Sequence, residues 1–547
     1  MKNLFSTRLL AGLAWLGAAV PGVAQAAPFT PGNLVVVRVG DGTTATPALS
    51  STATTTYLLE YTPGGTLVQT IALPTATVGT NAALTNTGSS SSDALLTRSA
   101  DGRYLIITGY DAAPGTATIT NTAATANNRV IGRVAADGTV DTSTRLGDAF
   151  GGTASTAVNI RSAASPDGSY FYAVGSSGGV RYVPFANPAA TATVLISATP
   201  ANNRGAGVFG GNLYVSSSTS SGGFYGLTQI GAGLPTTAGQ TGTLLPGFPS
   251  AAPTSGTTPS SYGFYFADLS ATVPGVDVAY VADDRAAPDG GLQKWSLVGG
   301  TWRLNGTVTG VAARGVNGST TGTTVALAVS GAAGLYLLSD NAGYNAAPSS
   351  TVFPMALATP GTNSSFRGVA FAPVAAAVAA PTITSFTPTT GGPGTTVTVT
   401  GTNLTGATAV RIGSFAVPNF TVVNATTITL VVPGGTGSVN GLVSVMTPGG
   451  TATSAVPFNL VSATLAANGL PGLTVFPNPA TDRLTLELPN PAPATVALRD
   501  LAGRLVLAPA VLGADHQVQL PASLARGTYL LEIRQGSTLA VRRIARN

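Results

Sequence analysis

Apolar and polar residues alternate along most of the chain in short runs that turn residues separate. Segments such as "SYFYAVGS" and "TTVTVTG" are rich in β-forming residues and alternate as half-buried strands do. Gly, Thr, Ser, Ala and Val dominate the composition, a mix that favours short strands and tight turns over amphipathic helices. The pattern therefore predicts an all-β protein.

One unit recurs between Asn33 and about Val374. Its clearest copy reads "NIRSAASPDGSYFYAVGSSGGVRYVPFANPAATATVLIS". Asp167-Gly168 marks a hairpin turn, because glycine readily takes the positive φ that such turns require. Apolar runs before and after this turn, and two more beyond it, predict a four-stranded antiparallel meander.

Six openings of this unit place an arginine, or once a tyrosine, before a Ser or Gly, and are 43 to 63 residues apart. The last opening lacks later strands, and the first strands of the chain lack an opening, so the two complete one sheet and leave no free edge. Residues 27–374 therefore resemble a six-bladed β-propeller, with a string of β-sandwiches as the alternative. The opening residues are Arg98, Arg161, Arg204, Tyr262, Arg314 and Arg367.

A small-residue linker at 375–381 leads into a segment with a different pattern. Residues 382–461 resemble the IPT/TIG immunoglobulin-like family, and the resemblance implies a small β-sandwich that serves as a spacer or partner-binding unit. The strand alternation of "TTVTVTG" supports this class independently. The residues that carry the resemblance are Pro388, Gly391, Gly394, Val397, Val399, Gly401, Asn403, Leu404, Gly413, Pro433 and the closing "TPGG".

After a second linker at 462–472, residues 473–547 resemble the type A C-terminal sorting domain of type IX secretion. We expect a second small immunoglobulin-like β-sandwich there. The resemblance implies export across the outer membrane by that machinery, removal of the tail, and attachment to a surface lipopolysaccharide. Three motif blocks carry it: Pro477, Asn478 and Pro479; Asp500, Gly503 and Arg504; Gly527, Thr528 and Tyr529.

The N-terminus has a basic start, an apolar run from Leu9 to Val20 and the sequence "AQA". These features predict a secretory signal peptide over residues 1–26, with cleavage between Ala26 and Ala27. No later apolar run is long enough for a membrane-spanning helix, so we expect none in the mature chain. The sequence thus predicts a secreted or outer-membrane surface protein.

The formal net charge of +5 comes from the two ends of the chain. Between Ala27 and Val461, fourteen arginines and Lys294 balance fifteen acidic residues. A neutral body lacks the electrostatic footprint of a nucleic-acid-binding protein, so we expect no nucleic-acid partner.

Candidate catalytic residues are scarce. The single histidine, His516, lies in the tail, so the body cannot contain a Ser-His-Asp triad, although "GSSGG" around Ser177 formally fits a nucleophile elbow. The body has one glutamate, Glu60. We therefore expect a non-enzymatic protein, with a propeller-type polysaccharide hydrolase or lyase as an alternative.

Asp283, Asp284 and Asp289 form the densest acidic cluster of the body. One interpretation is a calcium loop, since calcium prefers carboxylate ligands. The other is a solvated turn that is capped by its own Asp side chains. The spacing does not match an EF-hand loop, and we expect no other cofactor.

The six opening residues are the main candidate site. If each opening strand is the innermost of its blade, these residues form a ring about the central channel. The functional hypothesis is a cup in which guanidinium groups bind an anionic group. The structural alternative pairs each arginine with an acid or carbonyl of a neighbouring blade. We therefore expect a surface protein that binds a glycan, an anionic ligand or a protein partner, with a structural surface component as an alternative.

Overall fold

The computed structural model describes residues 26–44, 47–252, 257–433, 440–460 and 469–547. The chain divides into two compact units, one reaching to Ala376 and one spanning Ala377–Asn547. Within the described residues the regular structure is strands plus one short 3₁₀ turn at Ile119–Asn121, so the predicted all-β class is confirmed. The predicted signal peptide lies outside the described residues except for Ala26.

The first unit contains twenty-five strands among its described residues. The first thirteen are β1 (Leu34–Val39), β2 (Ala53–Thr54), β3 (Thr56–Tyr61), β4 (Leu67–Ala72), β5 (Asn86–Thr87), β6 (Thr97–Arg98), β7 (Tyr104–Tyr110), β8 (Arg129–Ala135), β9 (Val140–Leu146), β10 (Ile160–Ala164), β11 (Tyr170–Gly175), β12 (Val180–Pro184) and β13 (Val194–Ser197). The others are β14 (Asn203–Phe209), β15 (Asn212–Thr219), β16 (Phe224–Ile230), β17 (Gly242–Leu244), β18 (Ser261–Ala267), β19 (Val278–Asp283), β20 (Gly291–Val298), β21 (Thr301–Val308), β22 (Gly315–Thr321), β23 (Thr324–Gly331), β24 (Gly334–Asp340) and β25 (Ser365–Phe371).

These strands form six antiparallel sheets, and in five of them strands that are consecutive in the chain pair as hairpins. Sheets 1 to 4 have the orders β6-β7-β8-β9, β10-β11-β12-β13, β14-β15-β16-β17 and β18-β19-β20-β21. Sheet 5 has three strands, β22-β23-β24, and sheet 6 has the order β25-β1-β3-β4. The small ribbon β2-β5 lies outside this series.

Sheet 6 joins the two ends of the unit. Strand β25 pairs with β1, with Leu34 opposite Phe371 and Val39 opposite Ser365. The last opening strand is thus completed by the first strands of the chain, as the sequence pattern predicted. This pairing leaves neither terminal strand with an open inner edge.

The first strands of neighbouring sheets meet one another around a closed ring. Each of the six junctions contains a hydrogen bond in which at least one partner is a backbone group. This cyclic order is the strand arrangement that a six-bladed propeller requires. The six bonds run from Leu95 N to Arg161 O, Ala206 N to Ser162 Oγ, Ser216 Oγ to Tyr262 O, Gly263 N to Arg314 O, Ser330 Oγ to Arg367 O, and Gly368 N to Ala94 O.

Glycine makes this close approach possible. A Cβ at Gly368 would overlap the backbone nitrogen of Leu96 in the next sheet, and a Cβ at Gly263 would lie 2.9 Å from Arg314 O. Real side chains do not tolerate such contacts, so these positions require glycine for space rather than for backbone freedom. Glycine also follows Arg204 and Arg314 in the sequence.

Apolar side chains between the sheets supply the core of the unit. Between sheets 3 and 4, Tyr214 and Phe266 pack with ring centroids 4.7 Å apart, and Phe248 stacks on Trp295 at 4.3 Å. Such aromatic pairs add to the free energy gained by burying their apolar area. The core therefore consists of layers between radial sheets rather than one central cluster.

The second unit contains two sandwiches. Residues 382–460 pack sheet β26-β28-β32-β31 against β27-β34-β33-β29-β30 around Val397, Val399, Val443 and Phe458. The strands are β26 (Thr382–Thr387), β27 (Thr390–Gly391), β28 (Thr396–Thr402), β29 (Ala409–Ile412), β30 (Phe415–Ala416), β31 (Phe420–Asn424), β32 (Thr427–Val431), β33 (Asn440–Thr447) and β34 (Gly450–Leu460).

Residues 474–546 form the other sandwich, with sheets β35-β36-β39 and β38-β37-β40-β41 around Leu484, Leu498, Leu531 and Ile533. Residues 462–468 of the predicted second linker, and residue 461 before it, lie outside the described residues. The strands are β35 (Thr474–Phe476), β36 (Arg483–Glu487), β37 (Ala494–Asp500), β38 (Leu505–Val511), β39 (Gln517–Gln519), β40 (Gly527–Gln535) and β41 (Thr538–Arg546). Within the described residues no helix is long and apolar enough to cross a membrane.

The close approach at Gly368 predicts that Gly368→Ala destabilises the first unit by about 2 kcal/mol or more, since the added Cβ must push two strands apart. Urea unfolding of the chain from Ala27 to Asn547 measures this cost. The matched control is Gly64→Ala, at an exposed turn where the nearest atom lies 3.8 Å from the added Cβ. Equal stability of the two variants would contradict the role of glycine in ring closure.

Candidate functional site

Five of the six predicted opening residues lie together at one level of the ring. Arg161, Arg204 and Tyr262 each sit at a β-bulge of the first strand in their sheet, where the ladder register shifts. Bulges commonly re-aim a side chain. Arg314 directly precedes β22, and Arg367 lies in β25. We call Arg161, Arg204, Tyr262, Arg314 and Arg367 the arginine layer.

Arg98 does not belong to this layer, and its predicted ring position is wrong. Ala94 takes the sixth position, because its carbonyl accepts the hydrogen bond from Gly368 N while Leu95 N donates to Arg161 O. Arg98 lies four residues further along the chain, in β6. The reason is visible in the spacing: the Asp-Gly turn follows Arg98 after three residues but follows Arg161 after six.

Tyr262 and Asp284 link two members of the layer. The guanidinium carbons of Arg204 and Arg314 lie 4.3 and 6.0 Å from the centre of the Tyr262 ring. Asp284 contacts both arginines, with Oδ2 at 3.2 Å from Arg314 Nε and Oδ1 at 3.9 Å from Arg204 Nη1. Ser260 supports the group by donating its hydroxyl to Asp284 at 2.5 Å. Tyr262 is 4% exposed, so it separates and positions the two charged groups.

Arg161 is held by neutral groups. Its Nη1 donates to Asn202 Oδ1 at 2.6 Å and to the Asn203 carbonyl at 3.0 Å, and its Nε donates to Ser92 at 3.1 Å. Burial lowers the pKa of this guanidinium to about 10, and the charge of Arg204 acts in the same direction. The site therefore holds the positive charge of Arg161 at a cost in free energy.

Arg367 and Asp93 form a buried pair. Arg367 is 3% exposed and donates to the Gly88 and Phe366 carbonyls at 3.0 and 3.2 Å. Its Nε lies 3.7 Å from Asp93 Oδ1, a contact too long for a hydrogen bond. Burial raises the pKa of Asp93 to about 7, although Arg367, the Thr87 N–H and Arg161 each oppose that rise.

The layer has more positive than negative charge. Among the described residues, two carboxylates, Asp93 and Asp284, lie within 4.0 Å of its four guanidinium groups. No described carboxylate lies that close to Arg161. Each of the four arginines therefore contacts an acid or a carbonyl of a neighbouring sheet, as the structural alternative requires. Among the described residues, Arg161 differs from the other three in having neutral partners and no carboxylate within 4.0 Å.

The acidic cluster that the sequence offered as a calcium loop is engaged by arginines. Asp283 accepts two hydrogen bonds of 2.9 Å from Arg285, while Asp284 faces the arginine layer. Asp289 is half exposed and lies 3.7 Å from Arg285. In the described part of the chain no group of three or more His, Cys, Asp or Glu side chains could hold a metal ion. Asp284 thus has different arginine partners from Asp283 and Asp289, and calcium binding by the three stays an untested prediction.

Ser177 and Glu60, which the sequence also offered as candidates, lie apart from the arginine layer. Ser177 lies exposed in the turn between β11 and β12. Glu60 is 1% exposed and accepts hydrogen bonds from Thr30 N (2.9 Å), Asn33 (2.7 Å) and Gln69 (2.7 Å). This carboxylate anchors the segment that precedes β1.

The three motif blocks of the tail fold onto its last strands. Asn478 donates to the Arg543 carbonyl at 2.9 Å and accepts from Ala545 N at 2.7 Å, which ties the first block to β41. Asp500 accepts from Arg504 Nε at 2.8 Å across the turn, and Tyr529 lies opposite Asp500 in the β37–β40 ladder. The remaining motif residues, Pro477, Pro479, Gly503, Gly527 and Thr528, adjoin these contacts in sequence.

Two family matches cover the second unit. Residues 381–459 match the IPT/TIG domain, and residues 474–546 match the secretion system C-terminal sorting domain. Both predicted resemblances are confirmed. The sorting domain identifies the chain as a secreted or cell-surface protein that engages the secretion machinery. No curated protein matches the chain.

Several solved structures are similar to parts of the chain. A surface glycan-binding protein from Prevotella bryantii shares 12% identity at a TM-score of 0.15, and the match covers 30% of this chain and 42% of that one. A Bacteroides ovatus protein in complex with a mixed-linkage heptasaccharide shares 14% at 0.14, covering 50% and 60%. A fungal alcohol oxidase in complex with copper shares 10% at 0.27, covering 80% and 98%.

The chain covers less than two thirds of the length of both bacterial proteins. Identities and scores this low assign no ligand and no activity to this chain.

The raised pKa of Asp93 predicts a stability that falls as pH rises. Because the folded state binds this proton more tightly than the unfolded state, stability is lost between the ordinary carboxyl pKa of 3.8 and about 7. Urea unfolding should therefore show a larger loss from pH 5 to pH 8 in the wild type than in Asp93→Asn. Asp137→Asn is the control, since the pKa of that exposed carboxyl is lowered. If stability falls with pH equally in the wild type and in Asp93→Asn, the raised pKa is not that of Asp93.

Proposed function

We propose that the chain is an exported binding protein without enzymatic activity, whose first unit binds an anionic group at the arginine layer. The ligand class is a carboxylate, sulfate or phosphate group of an extracellular glycan. This proposal concerns the first unit alone. The sorting domain accounts for how that unit reaches the cell exterior.

The observation that carries the proposal is the position of Arg161, which lies beside Arg204 and has neutral hydrogen-bond partners but no described carboxylate within 4.0 Å. Guanidinium groups that converge in a partly buried place repel one another and lose hydration. Burial and the charge of Arg204 both lower the pKa of Arg161. An anion at this point would relieve the repulsion and accept charge-assisted hydrogen bonds.

The five members of the layer contribute differently to this proposal. Arg367 is buried and engaged by Asp93 and carbonyl groups, so we assign it a structural role. Tyr262 positions the arginines on either side of it. Arg161, Arg204 and Arg314 remain partly exposed and are the residues that we expect to contact the ligand.

Hydrolysis of a polysaccharide has less support than binding. Glycosidases generally place two carboxyl groups of different pKa about the scissile bond. Here Asp284 contacts two arginines and Asp93 is fully buried. The proposal extends to surface presentation: removal of the tail after export and attachment of the chain to a surface lipopolysaccharide would place the arginine layer outside the cell.

Arg161→Ala should weaken anion binding by about 10- to 100-fold, because hydrogen bonds to charged groups contribute about 1.5–3 kcal/mol. Calorimetric titration of the chain from Ala27 to Asn547 with inorganic sulfate and with oligogalacturonate, at low and moderate salt, measures this. Arg303→Ala, an exposed arginine of outer strand β21, is the control. Binding should also weaken as salt rises.

The proposal is wrong if the wild type binds none of these anions at low salt. It is equally wrong if Arg161→Ala and Arg303→Ala both bind with wild-type affinity.

A further inference from the structure

Beyond the arginine layer the inner strands line a cavity of about 380 Å³. Its lining begins directly after the layer positions, with Leu95, Gly205, Gly263 and Gly315, and continues along the same strands. Small-molecule sites typically enclose about 300–1,000 Å³ and combine aromatic surface with a few polar groups. The cavity is therefore large enough for one small ligand.

Aromatic side chains form one wall of the cavity. The ring of Tyr265 lies against Gly318, where any Cβ would overlap it, and its hydroxyl is 2.9 Å from that of Thr320. Phe209 meets Tyr265 edge to face with centroids 5.7 Å apart. Both rings are only partly buried, so they offer apolar surface to the cavity. Asn317 and Ser319 add polar groups beside them.

Arg98 brings a positive charge to the same cavity from sheet 1, across the ring from the aromatic wall of sheets 3 and 4. Its one hydrogen bond to a described residue is a long one, 3.4 Å from Nη1 to the Ala372 carbonyl. Asp101, the nearest acid in sequence, is engaged by Arg103 at 2.5 Å and by Ser99 at 2.6 Å. Partial burial lowers the pKa of Arg98, so its charge is poorly solvated. Most of the five N–H donors of this guanidinium are available to a ligand.

We propose that this cavity binds a single sugar-acid residue, with its ring against Tyr265 and Phe209 and its carboxylate on Arg98. Aromatic rings suit the apolar faces of a sugar, and the hydroxyl and amide groups suit its hydroxyls. One guanidinium matches one carboxylate in a bidentate contact. This site is independent of the arginine layer, because the layer and the cavity use different residues of the inner strands.

The ring junctions restrict how a ligand can enter. At the level of the layer, backbone hydrogen bonds such as Gly263 N to Arg314 O join neighbouring strands. We therefore expect the cavity to be closed on that side, so that a polysaccharide enters only by its end. A free sugar acid and the terminal residue of an acidic polysaccharide share this chemistry.

The test is calorimetric titration of the chain from Ala27 to Asn547 with galacturonate, glucuronate, glucose and a galacturonate oligomer. The wild type should bind at least one sugar acid more tightly than glucose. Arg98→Ala should weaken that binding about 10- to 100-fold. Arg303→Ala, which removes an exposed arginine of outer strand β21, should bind as the wild type does. Binding of the monomer alone identifies a free sugar acid, and oligomer binding that Arg98→Ala also weakens identifies a chain end in the cavity.

A second variant tests the cavity without removing a charge. Ser319 is exposed and lines the cavity, so Ser319→Trp should block entry and abolish binding. Thr321→Trp, exposed at the end of the same strand and outside the lining, should not. Neither change should affect sulfate binding at the arginine layer, which separates this proposal from the proposed function. No sugar-acid binding by the wild type, or wild-type affinity in Ser319→Trp, would overturn the proposal.

Discussion

The fold of the first unit depends on how closely the inner strands approach one another. At Gly263 and Gly368 the absence of a side chain lets the backbones of neighbouring sheets come within hydrogen-bonding distance. The residue before each of these glycines, Tyr262 or Arg367, belongs to the arginine layer. The arginine layer lies at these contacts, and the cavity lining begins with the residues that directly follow it, Gly263 and Gly315 among them.

The convergence has an electrostatic consequence. Four guanidinium groups lie at one level, while the described residues bring two carboxylates to them. Asp284 is shared by two arginines, and Asp93 is so deeply buried that its own ionisation is unfavourable. The protein thus stabilises Arg314 and Arg367 internally and leaves Arg161 to neutral partners. This uneven distribution of charge is the basis for assigning a binding role to the layer.

The sequence predicted the strands, the closure by the terminal strands and both C-terminal resemblances, because turn residues, alternation and motif spacing are local signals. Arg98 was misplaced because an Arg before a Ser was matched without counting the residues to the following Asp-Gly turn. The acids at 283 and 284 were assigned to one loop, although they contact different arginines. Asp93 and the cavity could not be predicted, since both depend on strands that are distant in sequence.

The central claim is that the arginine layer holds an anion between Arg161 and Arg204. Crystals of the chain from Ala27 to Asn547, soaked in selenate and measured at the selenium edge, test it most directly, because selenium scatters anomalously. The account predicts an anomalous peak within hydrogen-bonding distance of both guanidinium groups, displaced by an acidic oligosaccharide. The account is contradicted if selenate occupies another site and none is bound at the layer. It is also contradicted if Arg161 pairs with a carboxylate of the chain.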